Sequence, residues 1–153
     1  MLSLTTEQRR CIDRAKEQLV GAAETLLRES EVTPSKDFGH SQLRNLGAVA
    51  AETESPAVVL NFIRYQMGRD DKKRHWARGT EGNRIGDRFI TALNSDKGVV
   101  TQSLKSVVGV EGDALATQLA RMELIRYFLG FATRYMKYLE LQNRPAQRPG
   151  AVR

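Results

Sequence analysis

Cysteine and histidine are scarce in this chain of 153 residues, which contains one cysteine and two histidines. The single thiol, at Cys11, cannot form an internal disulfide, so a reducing, cytoplasmic location is expected. A structural zinc site needs four cysteine or histidine ligands, more than the chain contains. No acidic cluster has the spacing of a divalent-cation site either, and the sequence therefore predicts no metal and no other cofactor.

Long hydrophobic runs are missing as well. The apolar stretches have only a few residues, against the roughly 20 that cross a bilayer, and the N-terminus lacks the pattern of a secretory signal. We therefore expect no membrane partner. A hydrophobic content of 41% over this length is enough for one domain that buries roughly 70% of its unfolded surface. That domain is expected over residues 1–143, followed by a basic, disordered tail over residues 144–153.

Positive charge is in excess and is unevenly distributed. The formal net charge is +6, and the excess lies in residues 64–88 and 121–153, while the rest of the chain is slightly acidic. If folding brings the two basic segments together, they form one patch suited to a polyanion such as nucleic acid. The alternative is that the charge is incidental, as it is in many small basic proteins.

Apolar residues recur at helical spacing along most of the chain and predict an all-α fold, a compact bundle of five to six helices. The first helix is predicted to begin at a capping box formed by Thr5 and Gln8 and to end near Arg28. A serine followed by Pro56 marks the start of the third helix, because proline needs no amide partner at the first helical position. This helix is predicted to end near Arg69.

The helices between these stronger elements are short. Ser41 is the expected N-cap of the second helix. Weaker patterns predict a fourth helix over residues 84–93 and a fifth over residues 101–108. Residues 70–83, which are charged and then glycine-bearing, are predicted to be a frayed helix end and an exposed loop.

The last helix, from about Ala114 to Leu141, has the clearest pattern. Aromatic residues of this stripe and of the third helix are assigned to the core: Tyr65, Phe128, Phe131 and Tyr135. The opposite side of the last helix carries cations at helical spacing around a glycine: Arg126, Gly130, Arg134 and Lys137. This polar face has no carboxylate of its own, although Glu123 and Glu140 lie near its ends. A glycine at that position suggests an interface with another chain or with RNA.

No catalytic constellation is recognisable in the sequence. There is no glycine-rich phosphate loop, and His75 lies in a basic run, where a histidine is usually solvated rather than a general acid or base. The pair at residues 70–71 is better explained as neutralising neighbouring lysines than as holding Mg²⁺, and Cys11 falls near an apolar face, where it is expected to pack. We therefore expect that the protein is not an enzyme.

Cations around Trp76 and on the last helix are the candidate RNA-binding residues. Cations that grip phosphate, interleaved with an aromatic ring that stacks on a base, suit sequence-tolerant binding of single strands. Two alternatives stay open, namely that Trp76 packs in the core with the cations solvated, and that Arg69 pairs with a carboxylate inside the fold. The candidate set is Arg44, Arg64, Arg69, Lys72, Lys73, Arg74, Trp76, Arg78, Arg126, Arg134 and Lys137.

Three segments in order resemble the small subunit of type III-A (Csm-type) CRISPR effector complexes. They read HSQLRNL over residues 40–46, VLNFIRYQMGRD over 59–70 and LIRYFLGFATRYMKYLE over 124–140. The residues that match the motifs of that family are Ser41, Gln42, Leu43, Arg44, Tyr65, Gln66, Gly68, Arg69, Arg126, Tyr127, Tyr135, Lys137 and Tyr138.

The resemblance implies a compact all-α bundle without catalytic activity. It also implies that copies of the chain stack head to tail beside the backbone subunits that hold the guide RNA. The basic face would lie along the guide–target duplex and contact the target strand without reading its sequence. RNA cleavage would belong to the backbone subunits, and DNA cleavage and cyclic-oligoadenylate synthesis to the large subunit.

Two other functions fit the same residues. One is a stand-alone helical protein that binds nucleic acid or regulates it, with no CRISPR partner. The other is an adaptor bundle whose apolar surface binds a partner helix while its basic charge is incidental.

Overall fold

The computed structural model describes residues 3–30, 38–69 and 75–143. Over these ranges the chain forms helices and no strand, which confirms the predicted all-α bundle. Six α-helices and one turn of 3-10 helix follow one another: α1 (Thr6–Glu29), α2 (His40–Glu52), α3 (Pro56–Arg69), the 3-10 turn (His75–Ala77), α4 (Ile85–Asn94), α5 (Val99–Leu104) and α6 (Ala114–Gln142). The predicted tail, residues 144–153, lies outside the described ranges.

Local capping fixes where the first two helices begin. The Thr5 hydroxyl accepts the amide of Gln8 at 3.1 Å, and the Gln8 side chain accepts the amide of Thr5 at 2.9 Å, so the predicted capping box is present. In α2 the side-chain oxygen of Gln42 accepts the amide of Gly39 at 2.8 Å. Gly39 is therefore the N-cap, and the prediction of Ser41 at that position is wrong because the serine lies inside the first turn.

The fifth helix is shorter than predicted and begins earlier. It covers Val99–Leu104 instead of residues 101–108. After Leu104 the amides of Ser106 and Val107 bond to carbonyls only three residues back, at 3.0 Å each, and Gly109 adopts a left-handed φ of 72°. Tight turns of this kind cannot continue an α-helix. The apolar residues that follow Leu104 therefore lie in a turn, and Val107 reaches the core from there.

Helix α6 occupies the centre of the bundle, with α1, α2 and α5 packed around it. Four aromatic rings cross the core edge to face. The ring centroids are 4.9 Å apart between Phe38 and Trp76, 5.5 Å between Trp76 and Phe89, and 6.0 Å between Phe89 and Phe128. Edge-to-face pairs at these separations stabilise a core beyond the area that they bury.

The aromatic residues assigned to the core divide into three groups. Phe128 is fully buried, as predicted. Phe131 and Tyr135 are half-buried at the edge of the core. The assignment of Tyr65 to the core is wrong, because its side chain is 59% exposed. Tyr65 lies two residues, or about 200° of helical rotation, beyond the buried Ile63, which turns it towards the opposite side of α3.

Candidate nucleic-acid interface

An open groove of about 510 Å³ lies between α2 and α6. Its lining combines small side chains with arginines from both helices: Arg44, Gly47, Ala48, Ala51, Arg126, Gly130, Thr133 and Arg134. The groove brings together three candidate residues that are far apart in sequence. No carboxylate, histidine or cysteine is among the described residues that line it.

The two glycines leave the floor of this groove open. A Cβ atom built on Gly47 or on Gly130 would have no neighbouring atom within 4 Å. Neither residue is therefore glycine because of close packing inside this chain, although each costs about 1 kcal/mol of helix propensity relative to alanine. The backbones of α2 and α6 are accordingly accessible to a ligand that enters the groove.

Arg44 and Arg134 are the accessible cations of the groove. Both are exposed, and among the described residues neither has a carboxylate within salt-bridge distance. The guanidinium carbon of Arg134 lies 6.0 Å from the ring centroid of Phe131, a cation–π contact that leaves its N–H groups available. These two side chains can bind an anion without breaking an existing ion pair.

Arg126, in contrast, is engaged within the protein. Its Nε donates to the carbonyl of Ala50 at 2.9 Å, and its Nη2 donates to the carbonyl of Thr53 at 2.7 Å. It also forms salt bridges with Glu54 at 2.8 Å and Glu123 at 3.3 Å. The guanidinium therefore clamps the C-terminal end of α2 to α6. Most of its donors are engaged in these contacts, so Arg126 is less available to RNA than the other two arginines of the groove, and its assignment as an RNA-binding residue stays a prediction.

Lys137 is exposed but has an acidic neighbour. Its ammonium nitrogen lies 3.8 Å from one carboxylate oxygen of Glu140, and the other oxygen accepts the amide of His40 at the start of α2, at 2.7 Å. Glu123 and Glu140 thus reach the polar face of α6, since residues three apart are neighbours on a helix. The two glutamates expected near the ends of the stripe therefore pair with two of its cations.

The cations of α3 line a different surface. Arg64 and Arg69 are exposed, and Arg69 lies 5.9 Å from the ring centroid of Tyr65. No carboxylate among the described residues pairs with Arg69, so these residues give no support to the alternative of an internal ion pair. Arg69 borders a cleft of about 430 Å³ whose polar lining includes Gln42 and Gln66.

The structure bears differently on the predictions for Trp76 and for the cations near it in sequence. Trp76 is only 2% exposed and packs between Phe38 and Phe89, so the prediction that it stacks on a base is wrong and the core alternative is correct. Arg78 is half-buried in the loop after the 3-10 turn, and its carbonyl accepts the amide of Ile85 at 3.0 Å. Lys72, Lys73 and Arg74 lie outside the described residues.

Two basic side chains elsewhere have shifted pKa values. A hydrogen bond to Asp13 raises the pKa of Lys16, whose ammonium also lies 4.3 Å from the ring centroid of Tyr127. Burial lowers the pKa of Arg121, and the charge of Asp96 partly opposes that effect. Arg121 donates to the carbonyl of Leu93 and to the hydroxyl of Thr101, at 3.1 Å each, and so holds α6 against its neighbours.

The described ranges show no metal-binding group, and the single thiol of the chain is buried. They contain no group of three or more histidine, cysteine or acidic side chains placed to hold a metal ion. Cys11 is buried, which favours its predicted role in packing. None of the helices described here is long and apolar enough to span a bilayer.

Comparison with known proteins gives no match, since no family model, curated protein or solved structure is similar to this chain. The residues that carry the resemblance to the CRISPR small subunit differ in where they lie in the fold. Five of them are exposed in α2 and α3: Ser41, Arg44, Tyr65, Gly68 and Arg69. Core packing does not account for exposed residues of this kind, which are available for contacts with a partner.

Proposed function

We propose that the protein is a non-catalytic small subunit of a type III CRISPR interference complex, and that it binds RNA by the sugar-phosphate backbone. The observation that carries the proposal is the meeting of Arg44 and Arg134 in one open groove. Both guanidiniums are exposed and neither is paired with a carboxylate of the described chain. They face a floor whose largest neutral side chain is a threonine.

The groove chemistry suits phosphate. The planar guanidinium donates two parallel hydrogen bonds to phosphate oxygens, and a floor of glycine and alanine lets a bulky backbone come close. Contacts to phosphate carry no sequence information, so binding would be independent of base sequence. An open groove suits a polymer, which can enter and leave at both ends.

Assignment to a CRISPR complex rests on the three sequence segments and on the exposure of their residues. Arg44 lines the groove and is also one of the residues that match the family motifs. Two further matching residues, Tyr65 and Arg69, are exposed on α3. In such a complex the partners would be guide and target RNA, the backbone and large subunits, and further copies of this chain. Cleavage would belong to other subunits, because the described residues of the groove include no general base and no activated nucleophile.

Purification of the tagged full chain from its native host tests the proposal. The expected result is co-elution with a ribonucleoprotein that contains guide RNA and larger protein subunits. Recovery of RNA without those subunits would contradict membership of the complex while leaving RNA binding intact. Recovery of the chain without RNA, or with a single protein bound through a salt-insensitive contact, would contradict the proposed function and favour an adaptor.

A further inference from the structure

A row of aromatic side chains lies on α6 beside the α2–α6 groove. We call it the aromatic stripe, and its members are Tyr127, Phe131, Tyr135 and Tyr138. The rings of Tyr127 and Phe131 are stacked, with centroids 6.3 Å apart and planes inclined by 19°. Those of Tyr135 and Tyr138 are 6.0 Å apart and inclined by 38°. The spacing of four, four and three residues keeps all four on one side of the helix.

The C-terminal part of the aromatic stripe is accessible from outside, whereas the ring of Tyr127 lies beneath the ammonium of Lys16, which is 4.3 Å from its centroid. Tyr138 is 51% exposed, and the other three side chains are half-buried against the core. An open groove of about 550 Å³ between α1 and α6 is lined by Phe131, Tyr135 and Tyr138 together with Val20, Glu24 and Arg134. Side chains that are anchored at one end and open at the other form a firm, flat surface.

Arg134 lines both grooves, the one between α2 and α6 and the one between α1 and α6. The phosphate-binding groove and the aromatic stripe therefore meet at a single guanidinium on the outer ridge of α6. On the far side of the stripe, α1 contributes the carboxylate of Glu24 to the lining. That arrangement favours a phosphate on the Arg134 side and disfavours one on the α1 side.

We propose that the aromatic stripe stacks the bases of single-stranded RNA whose backbone lies in the α2–α6 groove. This inference rests on the proposed function, and it specifies the strand state of the RNA. A positively charged groove next to a row of aromatic rings is the combination by which proteins bind single strands irrespective of sequence. A duplex can still contact the groove through its backbone, but it cannot stack on the aromatic stripe, because its base faces are covered by neighbouring base pairs.

The side chains around the stripe suit nucleotides better than a partner helix. Arg134 has no carboxylate partner among the described residues, and it lies where the backbone would pass. Glu24 faces the bases, where a carboxylate can accept hydrogen bonds from exocyclic amino groups. A partner helix would instead be expected to cover a continuous aliphatic surface, whereas three of the four stripe residues carry hydroxyl groups.

Binding of matched oligoribonucleotides to the full chain tests this inference. One oligomer carries bases, including 2-aminopurine, and the other has the same length and phosphates but abasic sites. We expect 2-aminopurine fluorescence to be quenched on binding, and the oligomer with bases to bind at least about fivefold more tightly, since stacking contributes about 5- to 150-fold per base. The slope of affinity against salt should be the same for both oligomers.

The tyrosines of the stripe provide the variants. Tyr138→Leu should reduce the ratio of the two affinities, oligomer with bases over abasic oligomer, by about fivefold. Tyr138→Phe should leave that ratio unchanged. Tyr138 is half exposed, so neither change should impair folding. Leu115→Ala is the control, because Leu115 is an exposed side chain of α6 that lines neither groove; it should behave as the wild type.

Three outcomes separate this inference from the proposed function. Equal binding of the two oligomers with the salt dependence retained would overturn the stacking role and leave backbone binding in place. The same loss in Tyr138→Leu and Leu115→Ala would also overturn it, because the effect would not belong to the stripe. Binding of neither oligomer would contradict the proposed function and the inference together.

Discussion

The guanidinium of Arg126 donates a hydrogen bond of 2.9 Å to the carbonyl of Ala50, a residue 76 positions earlier in the chain. The contact closes the C-terminal end of α2, where carbonyl groups lack partners within their own helix. It also fixes the position of α2 relative to α6, and hence the shape of the groove that carries Arg44 and Arg134.

Replacing Arg126 tests this clamp. Arg126→Met keeps much of the aliphatic side chain but removes every donor, and we expect it to lower the free energy of unfolding by about 2 kcal/mol, since hydrogen bonds to charged groups contribute about 1.5–3 kcal/mol. Arg134→Met, on the exposed ridge, should change stability by less than about 0.5 kcal/mol. Denaturant titrations measure both. Unchanged stability of Arg126→Met with weakened RNA binding would place Arg126 in the interface instead.

Trp76 should act as a core residue in solution. Trp76→Ala is expected to cost about 3–5 kcal/mol of unfolding free energy, as large-to-small changes in a packed core do. Because Trp76 is the single tryptophan of the chain, its fluorescence should be blue-shifted in the native state and should not change on addition of RNA. Quenching by RNA would show that the ring stacks on bases.

Ser103 offers a stabilising substitution. Its hydroxyl is buried and has no hydrogen-bond partner among the described residues, and such a group costs about 1–3 kcal/mol. Ser103→Ala should therefore raise the free energy of unfolding by about 1 kcal/mol. Thermal and denaturant midpoints that fall instead would mean that the hydroxyl has a partner.

Two substitutions of Gly130 distinguish the effect of helix stability from the effect of access to the groove. Open space around its Cβ position predicts that Gly130→Ala gains up to about 1 kcal/mol of stability through helix propensity. Gly130→Phe should fold but fill the groove and weaken RNA binding. Thermal midpoints and RNA affinities of the two variants measure both effects. RNA affinity that is unchanged in the phenylalanine variant would show that the backbone does not pass Gly130.

Much of the fold follows from local sequence signals. The capping box at Thr5 and proline at position 56 mark the starts of α1 and α3, and the periodicity of α6 gives its bounds to within one residue. The start of α2 was missed because a side chain, that of Gln42, caps Gly39 from inside the helix. Unlike the reciprocal box at Thr5 and Gln8, this cap runs one way, since glycine has no side chain to accept an amide, and the N-cap residue itself therefore gives no capping signal in the sequence.

The candidate site was only partly predictable. Helical spacing placed Arg134 on an exposed face. The ion pair of Arg126 with Glu54 and the hydrogen bonds that Arg126 donates to two backbone carbonyls near the end of α2 join distant segments and have no signal in the sequence. Glu123 did give a signal, because it lies three residues before Arg126. The half-burial of Phe131 and Tyr135 depends on how α1 packs against α6, which periodicity alone does not determine.

The most direct test of the central claim is the salt dependence of RNA binding with both groove arginines reversed. The wild-type chain should bind single-stranded RNA with a log–log slope of about −3 to −4 if about four to six phosphates are contacted. Arg44→Glu combined with Arg134→Glu should abolish this binding and leave the thermal midpoint nearly unchanged. Lys97→Glu combined with Lys105→Glu changes exposed lysines outside the groove by the same charge and should retain most of the affinity. Equal losses in the two double variants would contradict the assignment of RNA binding to the α2–α6 groove.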